Sequence, residues 1–97
     1  MKKLDGAFAV LPTPFTEDEE INFEGMAQNI EWDIENGIHG VLPLGSTGEF
    51  TTLSEDEKKK IAKFVIDEVD GRVPVCIGTS ADNTTKAIKN AKHAQKI

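Results

Sequence analysis

The segment Gly45-Ser46-Thr47-Gly48-Glu49 carries the residues best suited to chemistry. Two glycines flank two hydroxyl side chains, and a carboxylate follows. Glycine lets the backbone approach a ligand closely and adopt positive φ. Ser46 and Thr47 then offer hydroxyls and backbone N–H groups to an anion. A carboxylate or a phosphate is the natural guest; the competing reading is a plain strand-to-helix turn. Glu49 could serve as a general base, but a Glu in such a turn is more often a structural acceptor for backbone N–H groups. Two phosphate-binding patterns fail. Gly40 and Gly45 have P-loop spacing, but Ser46 stands where the lysine belongs, and no G-x-G-x-x-G follows a strand.

The elements that must position this turn alternate between strands and helices. Ala7 to Leu11 is a short apolar run stopped by Pro12 and Pro14, as suits a strand buried on both faces. Thr16 to Glu20 is a polar loop. Asn22 can cap a helix whose stripe is Met26, Ala27, Ile30 and Ile34, with Gly37 as its stop. Ile38 to Leu44 is a second apolar run. Ser54 and Glu57 form a capping box for a helix with Ile61, Ala62, Val65, Ile66 and Val69 on one face, ended by Gly71. Val73 to Gly78 reads as a third strand, with Pro74 near its start. Asp82 or Asn83 caps a third helix with a stripe of Ala87, Ile88 and Ala91, extended by Ala94 or Gln95. Units of this size match a strand, a crossover helix and a return, which predicts an α/β fold with right-handed crossovers.

In such folds ligands bind at the carboxyl ends of the strands. Thr13 with Pro14, the Gly45–Glu49 turn, and residues 79–82 lie there. The other conspicuous residues read as structural. Cys76 is expected in the core. His39 lies at the amino end of strand two, and His93 lies on a helix without metal-binding partners. Trp32 falls off the apolar stripe and is expected to be a partly buried packing or interface residue.

Composition narrows the function classes. The chain has 97 residues, 38% hydrophobic and 29% charged, which is too apolar for a disordered chain. Its net charge of −6 makes it a poor partner for nucleic acid. The acidity is uneven: residues 1–57 hold two basic and thirteen acidic side chains, residues 58–97 nine and four. One cysteine excludes an internal disulfide framework and a multi-cysteine metal site. No apolar run is long enough to span a membrane, and no signal peptide is visible. The expectation is a soluble cytoplasmic protein.

The order Phe8-x-Val10-x-Pro12-Thr13-Pro14-Phe15, then Gly37-Ile38-x-Gly40-Val41, then Gly45-Ser46-Thr47-Gly48-Glu49-Phe50-x-x-Leu53-Ser54-x-x-Glu57 resembles the dihydrodipicolinate synthase/N-acetylneuraminate lyase family. Gly71-Arg72-Val73-Pro74-Val75 and the stretch from Gly78-Thr79 to Thr84 continue the likeness. The resemblance implies a TIM (β/α)8 barrel, of which residues 1–97 would be an N-terminal piece with the first three β/α units. It implies Schiff-base chemistry, in which a lysine near the end of strand six condenses with pyruvate or another 2-oxo acid. An aldehyde is the second substrate, and no cofactor or metal is needed. By matching position, Thr47 would bind the substrate carboxylate. Ser46 would meet it too and pair with a proton-relay tyrosine from a later strand. Gly45, Gly48 and Glu49 would be structural at the site. The chain contains no tyrosine, and its lysines are Lys2, Lys3 or residues of the expected helices. The Schiff-base lysine and its relay are therefore expected outside this sequence. Within the family, 4-hydroxy-tetrahydrodipicolinate synthase is the expected activity. A 2-keto-3-deoxy sugar-acid aldolase or dehydratase and an N-acetylneuraminate lyase are the alternatives. The parent is expected to be a homo-oligomer, dimer or tetramer. A non-catalytic, self-associating α/β module is the reading of a different class.

Overall fold

Prolines and local geometry trim the apolar runs to short strands. In a computed structural model describing residues 5–45, 47–81 and 83–97, β1 spans Phe8–Val10 and β2 spans Gly40–Leu42. Ser46, Asp82, Lys2 and Lys3 lie outside the described residues. Pro12 stops β1. Pro43 lacks a donor beyond β2, and Leu44 then turns to φ 64. The two strands pair in parallel, with Phe8 opposite Gly40 and Val10 opposite Leu42. His39 helps align them at their amino ends, where its Nδ1 accepts from the Ala7 N–H at 2.9 Å.

The expected third strand is reduced to a parallel bridge between Val75 and Val41. The segment still lies along β2. Pro74 O accepts from the Val41 N–H at 3.1 Å, and the Cys76 and Gly78 N–H groups donate to Val41 O and Pro43 O, each at 2.9 Å. Pro74 turns its backbone toward β2 and has no N–H to give, so one rung is missing.

Helix α1 (Phe23–Glu35) starts where Asn22 Oδ1 accepts from the Gly25 N–H at 2.9 Å. Met26 and Ile30 are buried as expected, with Ile34 partly buried beside them. Helix α2 (Glu55–Val69) starts with the full capping box: Ser54 N–H donates to the Glu57 carboxylate and Glu57 N–H to Ser54 Oγ. It ends at Val69 and is capped by Asp70, in the left-handed region at φ 50, rather than by the expected Gly71. Helix α3 (Thr84–Lys96) is capped by Asn83, whose Oδ1 accepts from Lys86 N–H at 2.9 Å.

Val41, Leu11, Leu44, Met26, Ile30, Ile61, Val65 and Val69 form one buried core between the sheet and α1 and α2. Burying each such side chain fully is worth about 1.5–3 kcal/mol. Phe23 of α1 stacks on Phe64 of α2 at 4.9 Å between ring centroids. Arg72, just past α2, grips both Glu31 carboxylate oxygens, at 2.9 and 2.5 Å.

Three expectations fail for one reason: helices cover only one face and part of the sheet. Cys76 is exposed rather than core, because it lies on the face opposite Val75 and Ile77. Val10, on that same uncovered face, is 45% exposed. Helix α3 buries no residue, and Ile88 and Ala91 of its expected stripe are exposed. It sits at the sheet's edge, held by half-buried Ala87 and Ala94 and by a long contact from Asn90 Nδ2 to Thr79 O. Trp32, expected to be a partly buried packing or interface residue, is 65% exposed.

Two tests follow from this packing. A Cβ on Gly78 would collide with the Leu44 carbonyl, which is backbone and cannot swing aside. Gly78→Ala should therefore cost about 1–3 kcal/mol, read as a lower urea midpoint. The hydrogen bonds from Arg72 hold the Glu31 carboxyl down to about 2. A depressed carboxyl stabilises the fold above its unfolded value, and the gain is lost as pH falls toward about 2. Glu68, pushed up chiefly by its hydrogen bond with Glu31, offsets part of this. The urea midpoint should drop further on acidification in the wild-type chain than in Glu31→Gln, and high salt should shrink the difference.

Candidate functional site

The turn after β2 is built by its neighbours. Leu44 is buried at its start and Leu53 at its end, so both feet stand in the core. Between them Glu49 O accepts from the Thr52 N–H at 2.9 Å and from Thr52 Oγ1 at 2.8 Å, closing a 3-10 turn over Phe50–Thr52. Ser54 then caps α2 directly. The turn therefore joins β2 to α2 with no slack.

A second anchor comes from β1. Thr13 is buried, and its Oγ1 donates to Gly48 O at 2.7 Å. This bond ties the carboxyl end of β1 to the turn. It also explains Gly48. A Cβ there would meet Leu11 O at 3.0 Å and Thr13 Oγ1 at 3.2 Å. A third anchor is Gly78, which lies against the Leu44 carbonyl and donates its N–H to Pro43 O. Three segments thus converge at one end of the sheet, as the chain's alternating pattern predicts.

The left-handed residues are not where the glycines suggest. Leu44 at φ 64 and Glu49 at φ 56 carry the positive φ, while Gly48 stands where backbone leaves a side chain little room. Of the two roles expected of glycine here, the positive φ falls instead to Leu44 and Glu49, and the close approach at Gly48 is to neighbouring backbone. A Cβ on Gly45 would touch Leu42 Cδ2 at 3.0 Å.

Of the predicted site residues, Thr47 is exposed at the apex of the turn, beside buried Gly48. Ser46 falls outside the described residues. Glu49 is exposed, and among the described residues its hydrogen bonds run through the backbone carbonyl rather than the carboxylate. The sequence places Thr13 at the strand end, and only the structure brings its hydroxyl to the turn. The one signal was a lone hydroxyl residue held between Pro12 and Pro14.

Among the described residues every lysine lies on α2 or α3. Lys58 is buried and pairs with Glu55 at 3.2 Å. Among the described residues no group of three His, Cys, Asp or Glu could hold a metal ion. No helix among them is long and apolar enough to cross a membrane.

Residues 3–97 match the sequence model of the dihydrodipicolinate synthetase family. A 4-hydroxy-tetrahydrodipicolinate synthase of Methanopyrus kandleri is 40% identical over 96 residues, covering 98% of this chain and 32% of that protein. The crystal structure of YagE, a prophage protein of the dihydrodipicolinic acid synthase family from E. coli K12 in complex with pyruvate, superposes with a TM-score of 0.92. It is 42% identical, over 96% of this chain and 31% of that one. A chloride-inhibited dihydrodipicolinate synthase from Acinetobacter baumannii, complexed with pyruvate, gives a TM-score of 0.92 at 31% identity, over 97% of this chain and 32% of that one. The chain spans about a third of the length of these relatives.

The Thr13 anchor is open to test. Thr13→Val keeps the shape and strands the buried Gly48 carbonyl, which should cost about 1–3 kcal/mol. Amide exchange across residues 47–53 should speed up, and Thr13→Ser should restore protection. Unchanged exchange in Thr13→Val would show that the turn stands without its tie to β1.

Proposed function

Since the chain belongs to the dihydrodipicolinate synthetase family, we propose that it supplies the 2-oxo acid carboxylate-binding turn of a Schiff-base lyase. In this reading residues 1–97 are the N-terminal portion of a single TIM-barrel domain, contributing its first three β/α units. The observation that supports it is the anchored turn itself. Thr47 stands exposed between two core residues, at the carboxyl end of β2, with β1 and the third segment held against it.

The chemistry assigned to this chain is binding and orientation. The Thr47 hydroxyl and backbone N–H donate to the substrate carboxylate, which fixes the 2-oxo carbon for attack. Ser46 shares that carboxylate and positions the relay tyrosine. The attacking amine belongs to a lysine of the remaining part of the barrel. It adds to the 2-oxo carbon, and the carbonyl oxygen leaves as water. Loss of a proton from the carbon next to this imine gives an enamine, the carbon nucleophile that joins an aldehyde; in the cleavage direction the aldehyde departs and leaves the enamine. A rigid turn serves this step because donors aligned in advance cost no reorganisation when charge develops. Gly45, Gly48 and Glu49 are structural here.

Pyruvate is the proposed 2-oxo acid and 4-hydroxy-tetrahydrodipicolinate synthesis the proposed reaction, in a cytoplasmic homo-oligomeric parent. Two of the relatives above were crystallised with pyruvate, and the curated one carries that synthase name. The sugar-acid aldolases and dehydratases and the sialate lyases share the same turn chemistry and differ in the aldehyde. The non-catalytic reading is favoured for the 97 residues by themselves, because they contain no tyrosine and the described lysines all lie on helices.

Borohydride trapping with labelled pyruvate separates these readings. The 97-residue chain alone should retain no label, whereas a full-length protein carrying this segment should retain one label per chain. In that protein Thr47→Val should raise the pyruvate KM roughly tenfold to a hundredfold, the worth of a hydrogen bond to a charged group. A stable adduct on the 97 residues, or an unchanged KM in Thr47→Val, would overturn the assignment.

A further inference from the structure

The Thr13 hydroxyl is delivered to the turn by a stiff segment. Prolines flank it on both sides, Pro12 and Pro14. Pro12 fixes its own φ. Pro14 keeps Thr13 extended, because a proline ring crowds the helical conformation at the residue before it. Little backbone freedom is therefore left to lose when the hydroxyl donates to Gly48 O at 2.7 Å. Leu11, Thr13, Leu44 and Gly48 are all buried, so this linkage lies inside the core.

That one bond fixes several atoms. A peptide group is planar, so holding the Gly48 carbonyl holds the whole unit joining Gly48 to Glu49. Glu49 leaves this plane at φ 56, and Leu44 enters the turn at φ 64. Both carry side chains in the left-handed region, which a Cβ disfavours. Such conformations persist where surrounding contacts over-determine them. The Thr13 bond is one of those contacts, and it acts on the residue next to Thr47. Without it the turn has strain to release, and Thr47 moves with it.

We propose that Thr13 is a positioning residue for the 2-oxo acid: it does not touch the substrate, but by holding Gly48 it sets the fraction of molecules whose turn presents Thr47 to the carboxylate. The proposal rests on the carboxylate-binding reading of Thr47. When only a fraction of molecules is competent, the apparent affinity falls by that fraction. Saturating substrate draws the turn back into the competent geometry, so the chemistry that follows binding keeps its rate. Loss of the Thr13 hydroxyl therefore acts on the KM of one substrate and spares kcat.

Steady-state kinetics on a full-length protein carrying this segment test it. Thr13→Val should raise the pyruvate KM roughly threefold to tenfold, the worth of one neutral hydrogen bond. Its kcat should stay within about twofold of wild type, and the aldehyde KM should not change. Thr13→Ser keeps the hydroxyl and should restore the pyruvate KM. Thr13→Cys places a weaker donor at the same point and should lie above Thr13→Ser. That pair decides the matter if the valine variant does not fold, and equal KM values in the two would count against Thr13. Combined with Thr47→Val, Thr13→Val should raise KM by less than the product of the two separate effects, because both act on one contact. A full product would mean that Thr13 acts elsewhere. A kcat that falls at constant KM would mark a merely structural residue, which lowers only the amount of folded enzyme. Either result would overturn the proposal, as would an unchanged pyruvate KM in Thr13→Val while Thr47→Val raises it. An unchanged KM in Thr47→Val would remove the carboxylate reading itself, and this proposal with it.

Discussion

The fold depends on β2 being hydrogen-bonded along both edges. Leu42 O accepts from the N–H of Leu11, just past β1, while Val41 donates its N–H to Pro74 O and its carbonyl accepts from Cys76 N–H. Val41 itself is fully buried. A three-residue strand has no spare rungs, so each bond is needed to hold the flanking segments parallel. Helices α1 and α2 then bury their stripes against a surface that this one strand holds flat. Had Val41 been polar, both the sheet and the core would lose their shared centre.

The same strand decides the quality of the turn that follows it. Pro43 and Leu44 leave β2 while still in the core, and Gly78 closes over the Leu44 carbonyl. Thr13 reaches the turn from the other side through Gly48. Thr47 is thereby exposed without being loose. Exposure alone would make it a surface hydroxyl. Exposure between three anchors is what supports the proposal that it positions a carboxylate.

Burial is one-sided, and this shapes the rest of the molecule. The face carrying Val41 and Val75 meets the helices, whereas Val10 and Cys76 lie on the face that no helix covers. Charge follows a similar division along the chain. The acidic residues crowd the first two units and the lysines the last two helices, with Arg72 bridging back to Glu31 where the two meet. The guanidinium at that junction joins α1 to the end of α2, so the helix layer is held by packing in the middle and by an ion pair at its rim.

Local signals were legible wherever a single residue does the work. Asn22, the Ser54–Glu57 box and Asn83 cap the helices because their side chains reach backbone N–H groups two or three residues ahead. The Met26–Ile30 and Ile61–Val65–Val69 stripes predict burial because helical period alone places them on one face. The G-S-T-G-E turn was equally visible as a candidate site. What sequence could not decide was which apolar residues find cover. Cys76, Ile88 and Trp32 have the right chemistry for a core, but burial depends on what packs against them, and here too little among the described residues does. Nor could it distinguish a glycine kept for φ from one kept for space. Gly48 and Gly78 are pressed by backbone from segments 30 or more positions away in sequence, and Leu44 and Glu49 take the left-handed conformations instead. The sequence determined the elements and the residues of the turn, because those follow from neighbours along the chain. Tertiary structure alone decided how the turn is held, because the Thr13 hydroxyl and the Gly78 backbone reach it only once β1 and the third segment lie beside β2.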